Sequence, residues 1–335
     1  MAQIFLDTVT LLGTATAASA LNNIYCCQAL SGSDVANKVF YPGDATYNES
    51  ISSYFSLDAQ LAPECIIQPT TADDVSTALS VLVSKINSEQ SCHFAVRSGG
   101  HTCWAGAANI EKGVTIDLSL LNSAIYNEED STASVGPGAR WASVYEGLAK
   151  SGVTIPGGRA GTVGVGGLTL GGGNSFFAAR EGFVCDNVAN FEIVLASGEI
   201  ANANSEENAD LWHALKGGSN NFGIVTKIDF FAFPFDSLWG GVVAYPGSTA
   251  SDQISAFVNF NDNLKDDPFA SVISIWQSTS EMPELVILNA YEYTKPEPNP
   301  PILGEFLAIP GNISDSMRIT DLRDVTEELE QAAGT

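Results

Sequence analysis

Two stretches of this chain set small residues beside groups that can do chemistry. The first is Arg97-Ser98-Gly99-Gly100-His101. Its glycines leave successive backbone N–H groups unobstructed by Cβ atoms and permit positive φ, so the loop can fold into a concave nest for a pyrophosphate. His101 follows directly. An imidazole is a nucleophile and proton carrier near neutral pH, although on spacing alone a loop histidine making an ordinary hydrogen bond fits as well. The second stretch is Gly161-Thr162-Val163-Gly164-Val165-Gly166-Gly167, continuing to Gly171-Gly172-Gly173. This is more bare backbone than a surface turn requires, and it suits something flat or anionic lying against it.

Other chemistries fit less well. Gly164-Val165-Gly166 is followed by Thr169 where a dinucleotide fingerprint wants Gly or Ala, and no Gly-Lys-Ser/Thr ending marks a phosphate loop. Cys92, His93, His101 and Cys103 are zinc-type donors, but their spacing matches no standard structural zinc pattern, so no metal is expected. A Gly-x-Ser-x-Gly elbow is absent, which sets hydrolysis aside.

The elements that must position these loops can be read from period and punctuation. After Pro63, Thr71 can cap a helix with Asp74 in its first turn, and Val75, Leu79, Leu82 and Ile86 fall on one face. Phe94-Ala95-Val96 reads as a short strand running into the first loop, so the nest leaves a strand end. A second strand covers Val114 to Leu118, Gly136-Pro137-Gly138 is a turn, and a helix runs from about Trp141 to Lys150, ended by Gly152. Phe191 to Ala196 and Glu199-Ile200-Ala201 form a hairpin about Ser197-Gly198, followed by a helix near Ala209 to Leu215 and a strand from Ile224 to Phe231. Beyond Pro234 the glycine clusters stop. Apolar strand-like runs recur at Leu238 to Tyr245 and Ser271 to Trp276, and Tyr291 and Tyr293 alternate as strand aromatics do.

Composition narrows the partners. With 335 residues, two domains are the default. The formal net charge of −25 repels nucleic acid and anionic lipid, and simple solubility accounts for it. No apolar run is long enough for a membrane span. Met1 to Ala20 joins a mildly apolar run and an Ala18-Ser19-Ala20 ending to Asp7 and the lack of a basic n-region, so signal cleavage is supported on one count and opposed on the other. The six cysteines (Cys26, Cys27, Cys65, Cys92, Cys103, Cys185) and the sequons at Asn48 and Asn312 lean towards an oxidising, secretory setting.

The order of four motifs gives the reading its direction. Arg97 to His101, Thr162 to Gly167, Cys185-Asp186-Asn187-Val188 and Leu215-Lys216-Gly217-Gly218-Ser219-Asn220-Asn221-Phe222-Gly223-Ile224-Val225-Thr226 occur as in fungal FAD-linked oxidases, and the chain resembles the berberine-bridge-enzyme-like group over residues 60 to 232. The resemblance implies an α+β fold: a PCMH-type FAD-binding domain of two α/β subdomains at 59–232, after an N-terminal segment at 1–58 with a possible signal peptide at 1–20. A partial antiparallel-sheet substrate domain follows at 233–335. It implies FAD as cofactor, with its pyrophosphate on Arg97, Ser98, Gly99 and Gly100, an 8α-histidyl bond at His101, and further contacts at Thr102 and Gly106. Gly161, Thr162, Val163, Gly164, Gly166 and Gly167 would line the isoalloxazine, Gly223, Ile224 and Val225 would meet the adenine side, and Gly172 and Asn174 would also bind the cofactor. A substrate C–H would give hydride to the flavin and O2 would take the electrons as hydrogen peroxide. The partners implied are a small molecule and O2, handled by a monomer, and a disulfide would join the Cys26-Cys27 region to Cys65 or Cys92.

The chain departs from that pattern in two places. Many relatives carry a cysteine, bonded to flavin C6, where this chain has Ala160, so a single covalent link is expected. Relatives also continue well past the position of Thr335. The chain is therefore expected to be truncated and its substrate domain incomplete, with no catalytic base to be named; a flavin-binding protein without turnover is the competing expectation.

Overall fold

A computed structural model describes residues 25–84, 92–280 and 283–330. The possible signal peptide and Ile86 lie outside them.

Three sheets carry the molecule. The first has the order β1-β2-β4-β3, from β1 (Val39–Phe40), β2 (Cys65–Ile67), β3 (Phe94–Arg97) and β4 (Val114–Asp117). β4 runs parallel to both β2 and β3, and its four residues are all buried, as a strand covered on both faces should be. α1 (Ala45–Ser52) lies beside this sheet and α2 (Ala72–Val83) packs on it. The start of α2 is the one read from the sequence: Thr71 Oγ1 accepts from the Asp74 amide and Asp74 reciprocates, closing a capping box. Two disulfides, Cys26–Cys92 and Cys27–Cys65, staple the N-terminal segment to β2 and to the approach of β3. Each of the sites left open above has a partner; Cys103 and Cys185 remain as thiols.

The second sheet is antiparallel, with the order β5-β6-β10-β8-β9: β5 (Ala124–Asn127), β6 (Thr132–Val135), β8 (Val188–Val194), β9 (Ile200–Asn204) and β10 (Ile224–Phe231). The β8–β9 hairpin turns where Ser197-Gly198 indicates, and Ser76 of α2 bonds the Gly198 carbonyl, so one helix bridges both sheets. The other face carries α3 (Trp141–Ala149), whose fully buried Trp141 ring lies edge-on to Phe230. α4 (Val165–Leu170) and α5 (Ala209–Leu215) complete this unit, and a short pair, β7 (Val153–Thr154) with β11 (Phe233–Pro234), closes its edge.

The third sheet has the order β13-β14-β12-β15, with β16 also on β12: β12 (Leu238–Pro246), β13 (Ala270–Gln277), β14 (Val286–Tyr293), β15 (Ser314–Asp315) and β16 (Arg318–Thr320). Tyr291 and Tyr293 stand on β14 and point into a core under α6 (Ala250–Asn263) with Trp239, Phe260 and Phe306. The opposite face turns to the second sheet. The chain then returns: α7 (Leu322–Glu328) buries Leu322 and Val325 in the core around Trp141.

Candidate functional site

The loop after β3 meets the loop before α4 backbone to backbone. A Cβ on Gly99 would stand 2.5 Å from the Gly164 nitrogen, and one on Gly164 would stand 2.4 Å from the Gly99 nitrogen. No real Cβ tolerates such contacts, so the two glycine tracts form one cradle. Pairing of Trp141 N with Val163 O (3.2 Å) and of Val165 N with Ala139 O (3.0 Å) holds the second loop to α3, and Ser98 Oγ donates to Pro137 O at 2.6 Å.

Within the cradle Gly99 and Gly100 are buried, and Gly100 takes φ +63°. The amides of Gly99, Gly100 and Thr102 donate to no group among the described residues. Buried unpaired N–H groups are costly and rare, and a left-handed turn that aims several at one point is an anion nest. The residues present therefore fit a diphosphate. Gly106, Gly167 and Gly172 lie open, with nothing within 4 Å of where a Cβ would be.

His101 is partly exposed and stacks on Phe55, with ring centroids 4.1 Å apart and planes 17° off parallel. Phe55 is fixed by its own amide donating to Gly100 O at 3.0 Å. Burial pushes the imidazole below the usual histidine range, contact with its own backbone opposes this, and Arg140 reinforces it. A neutral ring, held flat at the rim of the cradle, is the form of histidine that can bond to an electrophilic carbon.

The other residues singled out in the sequence divide into three groups. Ser98, Thr102 and Gly106 surround the first loop; Val163, Gly164, Gly166 and Gly167 line the second, with Thr162, Gly167 and Asn174 reaching solvent. Gly223 precedes β10, and Ile224 and Val225 open it between the first two cores, Ile224 in one and Val225 in the other. Two behave differently from the expectation. The Arg97 guanidinium turns inward, 2% exposed, donating to Ser50 O and Oγ and to Ser53 Oγ, lying 3.8 Å from Asp117 Oδ2 and stacking 4.1 Å above Tyr54. Only its backbone is left for the loop. Gly161 faces α7, its amide donating to Thr326 O at 3.0 Å. Sequence reasoning missed Phe55 and Arg140, whose Nη1 donates to Thr162 O at 2.6 Å. The Gly-Pro-Gly-Ala-Arg turn preceding α3 was the signal, since it reads as punctuation yet carries a cation.

Known proteins share both the sequence and the shape. Residues 63–204 match the family described as FAD binding domain. The chain is 46% identical over 305 residues to "FAD-dependent monooxygenase sdcF" of Emericella nidulans, covering 90% of this chain and 63% of that protein. It is 40% identical to "FAD-dependent monooxygenase drtC" of Aspergillus calidoustus, covering 91% and 58%. The chain thus spans about three-fifths of the length of these relatives. Among solved structures, 6-hydroxy-D-nicotine oxidase from Arthrobacter nicotinovorans superposes with a TM-score of 0.76 at 21% identity, over 86% of this chain and 62% of that one. Xylooligosaccharide oxidase from Myceliophthora thermophila gives 0.73 at 21%, over 92% and 64%.

Proposed function

We propose, from the premise that this chain carries an FAD binding domain within the fold of the PCMH-type, berberine-bridge-enzyme-like flavoproteins, that it tethers FAD through His101 and serves a substrate oxidase. That it belongs with FAD-dependent oxidoreductases rests on the matched family and relatives. The bond, the substrate and the acceptor are proposed.

The observation that carries it is the Gly99–Gly164 contact with partnerless buried amides on one side and a neutral, stacked imidazole at its rim. The nest would hold the diphosphate, and Phe55 would hold the His101 ring for its bond to the flavin. The cofactor, when bound, supplies a two-electron acceptor for hydride from a poorly activated C–H. Over the whole reaction, a CH–OH substrate and O2 become a carbonyl product and hydrogen peroxide. Arg140 places positive charge beside the second loop, where electron-rich rings are stabilised. The substrate would be a carbohydrate or specialised-metabolite alcohol and the working unit a monomer. Two disulfides suit a secretory setting. Of the two sequons, Asn312 lies in an exposed loop, whereas Asn48 lies within α1, where Ser50 is buried and donates to Asp117 at 2.7 Å.

A second reading has a specific observation behind it: the relatives' names say monooxygenase. Peroxide yield and 18O2 incorporation into product separate the two. Flavin bound without any turnover would favour a binding protein. The tether has its own test. Acid-precipitated wild type should stay yellow with an FAD-mass adduct on the His101 peptide, and His101→Ala should release its flavin to the supernatant. Colour that stays with the precipitated mutant refutes the assignment.

A further inference from the structure

Arg140 stands at the seam of the cradle. Its backbone pairs with Gly164 in an isolated antiparallel bridge, and Gly164 is the glycine that meets Gly99. Its side chain lies along the same seam. Nη1 donates to Thr162 O of the second loop at 2.6 Å and is 2.6 Å from where a Cβ on Gly99 of the first loop would stand. One guanidinium therefore rests against both loops, and the missing Cβ of Gly99 gives it room.

This cation has no countercharge. Arg140 is partly buried, makes no ion pair among the described residues, and has no side-chain hydrogen bond there besides the one to Thr162. Arg97, by contrast, turns away from the cradle and has Asp117 at 3.8 Å. The chain has 39 acidic residues for 14 basic ones, so a shortage of carboxylates does not explain a cation left alone. Charges drawn out of water are paired or meet a ligand. The ligand here is an anion, and the loop beside Arg140 is the one whose Gly99, Gly100 and Thr102 amides donate to no group among the described residues. Thr162 O fixes the plane of the guanidinium, and the N–H groups left over form the flat fork that matches phosphate oxygens. A positive charge at this point also offsets the repulsion that a net charge of −25 sets against any diphosphate.

We propose that the Arg140 guanidinium is a ligand of the FAD diphosphate, closing the anion nest of the first loop from the start of α3. The assignment rests on the reading that the cradle takes FAD. The flavin ring, against the second loop, is the competing partner for the same cation.

Calorimetric titration of the full chain carrying His101→Ala, in which FAD is held without a bond, separates the two. FAD is one probe; ADP-ribose has the diphosphate without the ring, and riboflavin the ring without the diphosphate. Adding Arg140→Gln should weaken FAD and ADP-ribose by about tenfold to a hundredfold, as loss of a charge-assisted bond does, and leave riboflavin within about twofold. Arg140→Lys should recover part of the loss, and ADP-ribose affinity should fall less steeply with salt in Arg140→Gln than in its parent. Phenylglyoxal labelling of the parent, mapped by mass spectrometry, needs no further variant: ADP-ribose should shield Arg140 from the reagent, and riboflavin should not. ADP-ribose binding unmoved by Arg140→Gln, or Arg140 labelled equally with and without ADP-ribose, overturns the assignment. Equal losses for all three probes overturn it too, since they would make Arg140 a support of the loops and not a ligand. A loss confined to FAD and riboflavin does the same, in favour of the ring. Yellow wild type whose ADP-ribose contact ignores Arg140 sinks the ligand alone. Colourless wild type with ADP-ribose binding that depends on Arg140 sinks the flavin reading alone.

Discussion

The Arg97 side chain shows how a residue can belong to a binding loop and serve it from behind. Its guanidinium joins α1, Tyr54 and Asp117 beneath the nest, so the loop rests on a buried ion pair. Arg97→Met would leave the Asp117 carboxylate buried with only Ser50, Gln68 and the Ser119 amide, and should cost about 3–5 kcal/mol. Urea unfolding measures this, and Arg97→Met/Asp117→Asn should recover part of it; an additive double mutant would show that the two do not act as a pair. Asp74 gives a pH-dependent case. Burial opposes its ionisation, but Lys38 and the bonds from Thr70 and Thr71 outweigh it and hold the carboxyl down to about 2. A depressed carboxylate stabilises the fold above its unfolded value, about 3.9, and that stability is lost as pH falls towards 2. Asp74→Asn should therefore cost about 1–2 kcal/mol at pH 7 and progressively less between about pH 4 and pH 2. A penalty that does not change with pH would remove the electrostatic explanation. Arg97 was legible as a loop residue but not as an interior one, because the groups that turn it inward lie 20 to 47 positions away.

Elements were far more legible than contacts. α2, α3, α5, β10 and the β8–β9 hairpin sit where period and turn chemistry put them, since each is a local pattern bounded by a cap or by a nearby glycine. The role of Gly161 was not legible, because its partner, Thr326, lies 165 positions further along the chain, beyond the strands of the third sheet. Nor was the disulfide pairing, which spacing leaves open. The two bridges close 66- and 38-residue separations, and chain entropy assigns roughly 4 kcal/mol to each. Reductant should accordingly lower the guanidinium midpoint of the chain and free four further thiols beyond Cys103 and Cys185. Four thiols appearing with no shift in midpoint would mean that the N-terminal segment adds nothing to the fold.

The whole molecule carries its −25 net charge on a frame in which Arg97 is buried beneath the cradle and Arg140 lies partly buried beside it. Self-repulsion across so acidic a surface destabilises the compact state, and salt screens it over a distance of about 10 Å at 0.1 M. The melting temperature should rise by about 2 °C or more between roughly 10 and 150 mM NaCl. A fall would place the important electrostatics in the buried pairs instead. The return of α7 also has a mechanical outcome. The third sheet is joined to the flavin unit twice, through Phe233–Pro234 on β7 and through Leu322 and Val325 beside Trp141. A span resting on two piers does not swing, so heating should not part the third sheet from the unit beneath it before that unit itself melts.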